Sequence, residues 1–311
     1  IKKLAPFLHI PISIVNTFID ALIFKPSILF CLGGVFYNGL GIVIAGKLLG
    51  LNSIVRSAED HIGIANFESK YFFNGLYAKL RALISGFVIK NSDYFLTLGE
   101  WSINYFRKKY NLSEAKSFVA AGPIDNSICF QKSFFLTKEK SKKNLKKIFK
   151  LPNGEKTILF VGSRNYKGTE NLLLLIQKLK QLDLPINILW ISKSIETKSK
   201  ISTLKLNKFV NFIDPLNRED LVAIIKGVDF LYWSTNLGVG YGQIMLESIL
   251  CNTEIICYKP IGDARYLVKN QFYTDIDMVI DRLKNNIPPK NIKIPKFMKE
   301  EIIKEKHIQI F

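Results

Sequence analysis

Two segments of this 311-residue chain combine glycines with charged side chains in a way that suits an anion. The first runs from Gly162 through Ser163, Arg164 and Lys167 to Gly168, between an apolar run and a helical pattern. Arginine offers phosphate a bidentate fork and lysine a point charge, and the first N–H groups of a helix also attract anions. The spacing fits neither a P-loop nor the dinucleotide fingerprint. It predicts a diphosphate site, with a basic surface loop as the alternative.

The second segment has glycines at 238, 240 and 242 and continues through Tyr241 and Gln243 into a helix carrying Glu247. Glycine allows a loop to approach a ligand closely, and an acid at this place can accept ribose hydroxyls. The alternative for Glu247 is a solvated acid in the first turns of a helix, where the helix dipole favours it.

Strand-like and helix-like runs alternate along the chain, which predicts an α/β fold with parallel, doubly wound sheets. Several strand-like runs lack polar alternation, as expected for strands buried on both faces. The predicted strands cover 27–32, 53–57, 94–98 and 117–121, then 156–161, 186–192, 209–213, 229–234 and 254–258. We therefore predict two Rossmann-like domains, 1–130 and 131–311, with a cleft between them and a helical C-terminal tail.

The composition is globular but basic, with 44 lysines and arginines against 26 acidic residues and a net charge of +18. With 48% hydrophobic residues, a disordered or collagen-like chain is excluded. The charge favours a polyanionic partner, such as a phosphorylated substrate or an anionic membrane. Nucleic acid is disfavoured because the recognised binding patterns are missing and eight lysines fall within 131–155, a connector-like stretch.

The cysteines and histidines are scattered. Cys31, Cys129, Cys251 and Cys257 form no C-x-x-C pair and have no nearby histidine pair, which argues against a zinc site or a disulfide framework. We expect small core residues in a reducing, cytoplasmic compartment, with no metal and no cofactor.

The first 46 residues are rich in apolar side chains. The uncharged stretch 26–46 is long enough to span a bilayer, but its glycines favour a strand, a turn and a helix. An amphipathic helix is predicted from about Ser13, as N-cap, to Phe24. With Lys2 and Lys3 it could contact an anionic inner membrane face, or it could equally be a core helix.

Taken in order, these segments resemble the retaining GT-B glycosyltransferases of family 4. The second half contributes G-S-R-x-x-K-G, Gly227-Val228-Asp229, G-Y-G-Q-I-M-L-E and Gly262-Asp263. The first half adds 56–60 with Arg56 and Asp60, 92–100 with Asp93 and Glu100, and 122–125. The resemblance extends over roughly residues 25–285, and five motifs in the same order make it fairly specific.

The resemblance implies transfer of a sugar from a nucleotide-sugar to a glycan or lipid-linked acceptor, with retention at the anomeric carbon. Arg164 and Lys167 would neutralise the departing diphosphate, and Glu247 would hold the ribose. Gly162, Ser163, Tyr241, Gly242 and Gln243 would line the donor site. Asp60 or His61 could contact the acceptor or the sugar, although a purely structural role is at least as plausible for either.

Three departures from the family pattern stand out. Val239 occupies the place of an acid that normally contacts the sugar, and Asn252 stands where a glycine is usual. Family members also begin with further strand–helix units, so we expect about 60–90 residues of a complete first domain to be missing. Val239 motivates an alternative function, a non-catalytic protein of the same fold that binds a nucleotide-sugar or a partner.

Overall fold

The computed structural model describes residues 5–57, 75–120, 132–151, 155–162, 167–192, 194–235, 241–268 and 272–285. The described residues up to Ala120 belong to one compact unit and those from Lys132 onwards to another. The predicted domain boundary at 130/131 falls in a range outside the described residues and stays a prediction.

The first unit contains a parallel four-stranded sheet with the strands in chain order. Its elements are α1 Ala5–Phe24, β1 Ile28–Cys31, α2 Asn38–Leu49, β2 Asn52–Ser57, α3 Gly75–Asn91, β3 Tyr94–Thr97, α4 Glu100–Tyr110 and β4 Ser117–Val119. Apolar residues of β1, β2 and β3 pack with those of α2, α3 and α4 into one core cluster. The predicted strand, glycine turn and helix within 26–46 are confirmed.

Helix α1 begins earlier than the sequence predicts. It starts at Ala5 and continues through Pro11, although proline removes a donor from the helix interior. Ser13 is not an N-cap, because it lies in the interior of the helix, where its hydroxyl donates to the Tyr37 carbonyl at 3.3 Å. Close packing on α2 accounts for the difference, since a Cβ added to Gly41 would lie 2.8 Å from Thr17 Oγ1. The tertiary contact thus outweighs the local cost of Pro11.

The second unit contains a parallel six-stranded sheet in the order β10-β9-β8-β5-β6-β7. Its strands are β5 Lys156–Val161, β6 Ile186–Ile191, β7 Val210–Ile213, β8 Phe230–Ser234, β9 Glu254–Tyr258 and β10 Phe272–Tyr273. Its helices are α5 Lys138–Ile148, α6 Thr169–Gln181, α7 Ile195–Thr203, α8 Arg218–Gly227, α9 Gln243–Leu250, α10 Asp263–Leu267 and α11 Ile276–Lys284.

The central strands of this sheet are buried along their length, which explains why their sequences show no alternation. Trp190, Tyr232 and Phe160 are among the largest fully buried side chains and belong to one core cluster on the sheet. The site-bearing loops therefore leave a rigid platform.

In each sheet an aspartate joins two neighbouring strands at their amino ends, by the same pair of hydrogen bonds. Asp93 Oδ2 accepts from the Ser53 N–H at 2.8 Å, and Asp229 Oδ2 accepts from the Thr157 N–H at 2.8 Å. In return, each aspartate N–H donates to the carbonyl of the same partner. The two aspartates of the family-like motifs therefore have a structural role, because each fixes the start of a strand pair.

No helix within the described ranges is long and apolar enough to cross a membrane.

Candidate active site

The two segments singled out in the sequence leave neighbouring strands of the second sheet. Strand β5 pairs with β6 on one side and with β8 on the other, so the chain direction across the sheet reverses between β5 and β8. In parallel sheets, ligands bind in the crevice that such a reversal opens at the carboxyl ends of the strands. Gly162 follows β5 directly, and Thr235 follows β8. The topology therefore brings both predicted segments to one crevice.

Both backbone groups of Gly162 are hydrogen-bonded to β6. Its N–H donates to the Ile191 carbonyl at 3.3 Å, and its carbonyl accepts from the Trp190 indole N–H at 2.7 Å. A Cβ added to Gly162 would lie 3.2 Å from the Cβ of Lys167. Lys167 therefore lies beside the end of β5, where the sequence predicts a phosphate-binding lysine.

The start of α6 packs directly on the end of β8. Gly168 has a φ of +84°, and a Cβ added there would lie 2.3 Å from the Ser234 carbonyl oxygen. One turn further, the Asn171 amide donates to the Ser234 hydroxyl at 2.6 Å. Only glycine fits this close approach, which places the N-terminal N–H groups of α6 and their favourable field for anions in the crevice.

The segment after β8 re-enters the described structure at Tyr241, whose side chain is buried. Gly242 is the N-cap of α9, and a Cβ added to it would lie 2.3 Å from Cη2 of Trp233. Gln243, the first residue of α9, is exposed. A second helix therefore begins beside the crevice, with its first backbone groups close to the end of β8.

Glu247 lies on α9 and is buried, with only 3% of the residue exposed. A solvated acid, the alternative considered from the sequence, is therefore wrong. Its Oε1 lies 2.8 Å from Nη1 of Arg218, the first residue of α8. Reasoning from the sequence missed Arg218. The available signal was a cation in the first turn of a helix, where acidic residues are preferred.

Asn252, one of the departures from the family pattern, has an ordinary structural explanation. It follows the C-cap of α9 and adopts a φ of +54°, in the left-handed region. Asparagine tolerates this conformation better than other non-glycine residues, so it can replace the usual glycine.

Several predicted site residues lie outside the described residues: Ser163, Arg164, Val239, Asp60 and His61. Their roles stay predictions. Within the described part of the chain, no group of three or more histidine, cysteine or acidic residues could hold a metal ion. Cys31, Cys251 and Cys257 are buried free thiols, whereas Cys129 lies outside the described residues.

The comparisons with known proteins bear on the domain that contains this crevice. Residues 141–281 match the family model described as glycosyl transferases group 1. The match begins within α5 and ends within α11, so it includes Lys167, Arg218 and Glu247. No curated protein matches the chain significantly by sequence.

The comparisons with solved structures cover residues of both units. HepE of Anabaena, solved with UDP-glucose, superposes with a TM-score of 0.68 at 12% identity, over 87% of this chain and 71% of its own. Sucrose-phosphate synthase from Thermosynechococcus elongatus superposes with a TM-score of 0.67 at 12% identity, over 89% of this chain and 69% of its own. A glycosyltransferase from Rickettsia africae superposes with a TM-score of 0.65 at 13% identity, over 98% of this chain and 81% of its own. These similarities confirm the predicted fold, α/β with two Rossmann-like domains of the GT-B type.

Proposed function

We propose that this chain is a glycosyltransferase that moves a sugar from a nucleotide-sugar to a hydroxyl acceptor with retention of anomeric configuration. The observation that carries the proposal is the convergence of the Lys167 and Glu247 segments on one crevice of the domain that matches the glycosyltransferase family. The UDP-glucose complex of HepE, a protein of the same fold, supports a nucleotide-sugar as donor.

In the proposed reaction the bond between the anomeric carbon and the diphosphate oxygen breaks, and a bond to the acceptor oxygen forms on the same face of the sugar. The acceptor proton passes to the departing phosphate, so no separate base is needed. Negative charge grows on the diphosphate as it leaves, and cations fixed beside it stabilise that state. Lys167, together with Arg164 and the start of α6, supplies this positive field without a metal ion.

We assign the ribose contact by side-chain chemistry, and the contacts with the diphosphate and sugar by accessibility. Glu247 accepts the ribose hydroxyls. Because the Tyr241 side chain is buried and Gly242 lies against Trp233, contact with the diphosphate and sugar falls to the backbone at the start of α9 and to the exposed Gln243.

For the acceptor we propose a glycan or a lipid-linked sugar of the cell surface, reached from the cytoplasmic face of a membrane. The support is one face of α1, which we term the apolar stripe: Ile12, Val15, Ile19, Leu22 and Ile23. These side chains are 46–65% exposed, although the opposite face of the same helix packs on α2. An exposed apolar stripe on a chain of net charge +18 suits the interface of an anionic bilayer.

The alternative is a protein of this fold that binds a nucleotide-sugar without transferring it, and Val239 in place of the usual acid favours it. A panel of radiolabelled sugar-nucleotides incubated with the protein and a membrane lipid extract separates the two functions. Transfer of label to lipid or glycan supports the transferase. Donor binding without transfer, together with transfer restored by Val239→Glu, would establish the binding protein instead.

A further inference from the structure

We propose that Arg218 is a positioning residue that holds the Glu247 carboxylate in place for the ribose hydroxyls of the nucleotide. The inference rests on the proposed function, because it concerns how the same crevice recognises its donor. It adds a second residue, from a different helix, to a contact that the sequence assigned to Glu247 alone.

Burial makes an ion pair at Glu247 necessary. The Glu247 side chain is 4% exposed, whereas Arg218 reaches it from a side chain that is 31% exposed. A buried carboxylate without a partner either takes up a proton or moves towards water, because desolvation disfavours its charged form. Arg218 supplies the opposite charge that favours a carboxylate at this buried position.

The ion pair still leaves Glu247 able to bind a ligand. A carboxylate has two oxygens and about four lone-pair sites, so it can accept from Arg218 and from a hydroxyl at the same time. Hydrogen bonds to a charged acceptor are stronger than those between neutral groups, which makes an ionised Glu247 the better ribose acceptor.

The position of Arg218 also argues for more than helix stability. Helix α8 follows β7 and α9 follows β8, so both helices start at the carboxyl edge of the sheet, where the crevice lies. Asn217 caps α8 by accepting from the Asp220 N–H at 2.9 Å. A cation in the next position faces the positive end of the helix dipole, which is locally unfavourable. The contact with Glu247 compensates for that position.

Ribose selectivity provides the test, since a merely structural ion pair would not affect it. Calorimetric titration of the full chain with UDP, GDP and ADP identifies the nucleotide that binds most tightly, and its 2′-deoxy form is then measured. We expect the wild type to favour the ribonucleotide at least about tenfold, the effect of one hydrogen bond to a charged group. In Arg218→Gln we expect the ratio to fall below about threefold.

The chain offers a matched control in the Arg282–Glu254 pair. It joins the same residue types in the same domain, with Arg282 Nε 2.7 Å from Glu254 Oε1, but Glu254 begins β9 at the amino edge of the sheet. Arg282→Gln should lower the melting temperature and leave the ribose ratio at the wild-type value. Arg218→Lys, which retains the positive charge, should give an intermediate ratio, and it decides the matter if Arg218→Gln does not fold.

The outcomes separate the two proposals. An unchanged ribose ratio in the Arg218 variants, or an equal loss of ribo- and deoxyribonucleotide affinity, would overturn the role of Arg218 and leave the proposed function intact. If the wild type binds none of the three nucleotides, the proposed function fails and this inference fails with it. A ratio of ribo- to deoxyribonucleotide affinity that falls in Arg218→Gln and stays at the wild-type value in Arg282→Gln supports the positioning role of Arg218.

Discussion

Lys167 is the described side chain on which the proposed chemistry most depends. Removal of a positioned charge that stabilises a leaving group typically costs 10²–10³-fold in turnover, and we expect that loss for Lys167→Ala. Initial rates with the donor identified by the sugar-nucleotide panel measure it. Lys180→Ala, at the other end of α6, is the control and should retain wild-type turnover. A Lys167→Ala enzyme within twofold of wild type would refute the assignment.

Two buried tryptophans, on the strands β6 and β8 that flank β5, differ in their hydrogen bonding. The Trp190 indole donates to the Gly162 carbonyl at 2.7 Å, whereas the Trp233 indole nitrogen has no hydrogen-bond partner in the described part of the chain. Trp190→Phe should therefore lower the free energy of unfolding by about 2–4 kcal/mol through the lost bond and the cavity. Trp233→Phe should cost distinctly less.

Urea unfolding followed by circular dichroism compares the two variants, and equal losses would contradict the role given to the Trp190 bond. Because Trp190 holds the peptide unit at the start of the phosphate segment, its replacement should also weaken donor binding. A variant that is destabilised but binds donor normally would limit Trp190 to a core role.

At the scale of elements, two glycines hold helices against β8 by different contacts. A Cβ at Gly168 would meet the Ser234 backbone first, and Gly168 has a positive φ. The three atoms nearest to a Cβ at Gly242 all belong to the Trp233 ring, and Gly242 has a φ of −82°. Alanine at either position should destabilise the fold by about 1–3 kcal/mol through overpacking. The stability lost in Gly242→Ala should be recovered when the opposing ring is made smaller, in the double variant with Trp233→Leu. No such recovery is expected for Gly168→Ala.

Thermal melting of the single and double variants tests this difference. For Gly168→Ala the obstacle is main chain, so Ser234→Gly should give little rescue. Rescue of Gly168→Ala by Ser234→Gly, or failure of Trp233→Leu to rescue Gly242→Ala, would show that the contacts have been misassigned.

Helix α5 is tied to the second sheet by a lysine whose pKa is shifted. Lys138 Nζ donates to the Val228 carbonyl at 2.5 Å and to the Thr253 hydroxyl at 2.9 Å, and burial lowers its pKa to about 8. Between about pH 8 and pH 10.5, the unfolded chain keeps a proton that the folded chain has lost. The contribution of Lys138 to stability therefore rises with pH over this window, by about 2 kcal/mol.

Chemical denaturation of wild type and Lys138→Met at pH 7.5 and pH 10 measures that contribution as a difference. Burial raises the pKa values of Tyr232 and Cys257, which lowers stability as the pH rises. The wild type and Lys138→Met share this effect, so it cancels in their difference. The wild type should gain about 2 kcal/mol relative to the variant at the higher pH. Lys140→Met, an exposed position of the same helix, should show no such difference. Parallel pH profiles for wild type and Lys138→Met would exclude the shift.

At the scale of the whole molecule, the apolar stripe of α1 predicts reversible binding to anionic vesicles. The double variant Val15→Asp, Ile19→Asp should reduce cosedimentation with vesicles containing phosphatidylglycerol at least tenfold. Binding through the stripe would bury both new charges at the boundary between headgroups and acyl chains, which is unfavourable. Ile195→Asp, an 84% exposed isoleucine of the second unit, is the matched control and should bind normally. Binding that is insensitive to both the stripe variant and the anionic lipid content would count against the membrane role.

The class of fold and the positions of the candidate site segments along the chain follow from local sequence patterns. Strands buried on both faces are mostly apolar and lack polar alternation, so runs such as 156–161 and 254–258 match the observed strands residue for residue. The phosphate segment and the Glu247 segment were visible because glycine, cations and helix starts are local features.

How those features meet depends on contacts between distant parts of the chain. Nothing local indicates that β8 lies beside β5, because strand order in a parallel sheet depends on crossovers between distant segments. The burial of Glu247 and its pairing with Arg218 depend on that order, as does the contact of Gly168 with Ser234. The early start of α1 has the same origin, since its packing on α2 outweighs the local preference of Pro11. Local chemistry is encoded residue by residue, whereas the neighbours that give it a function come from long-range packing.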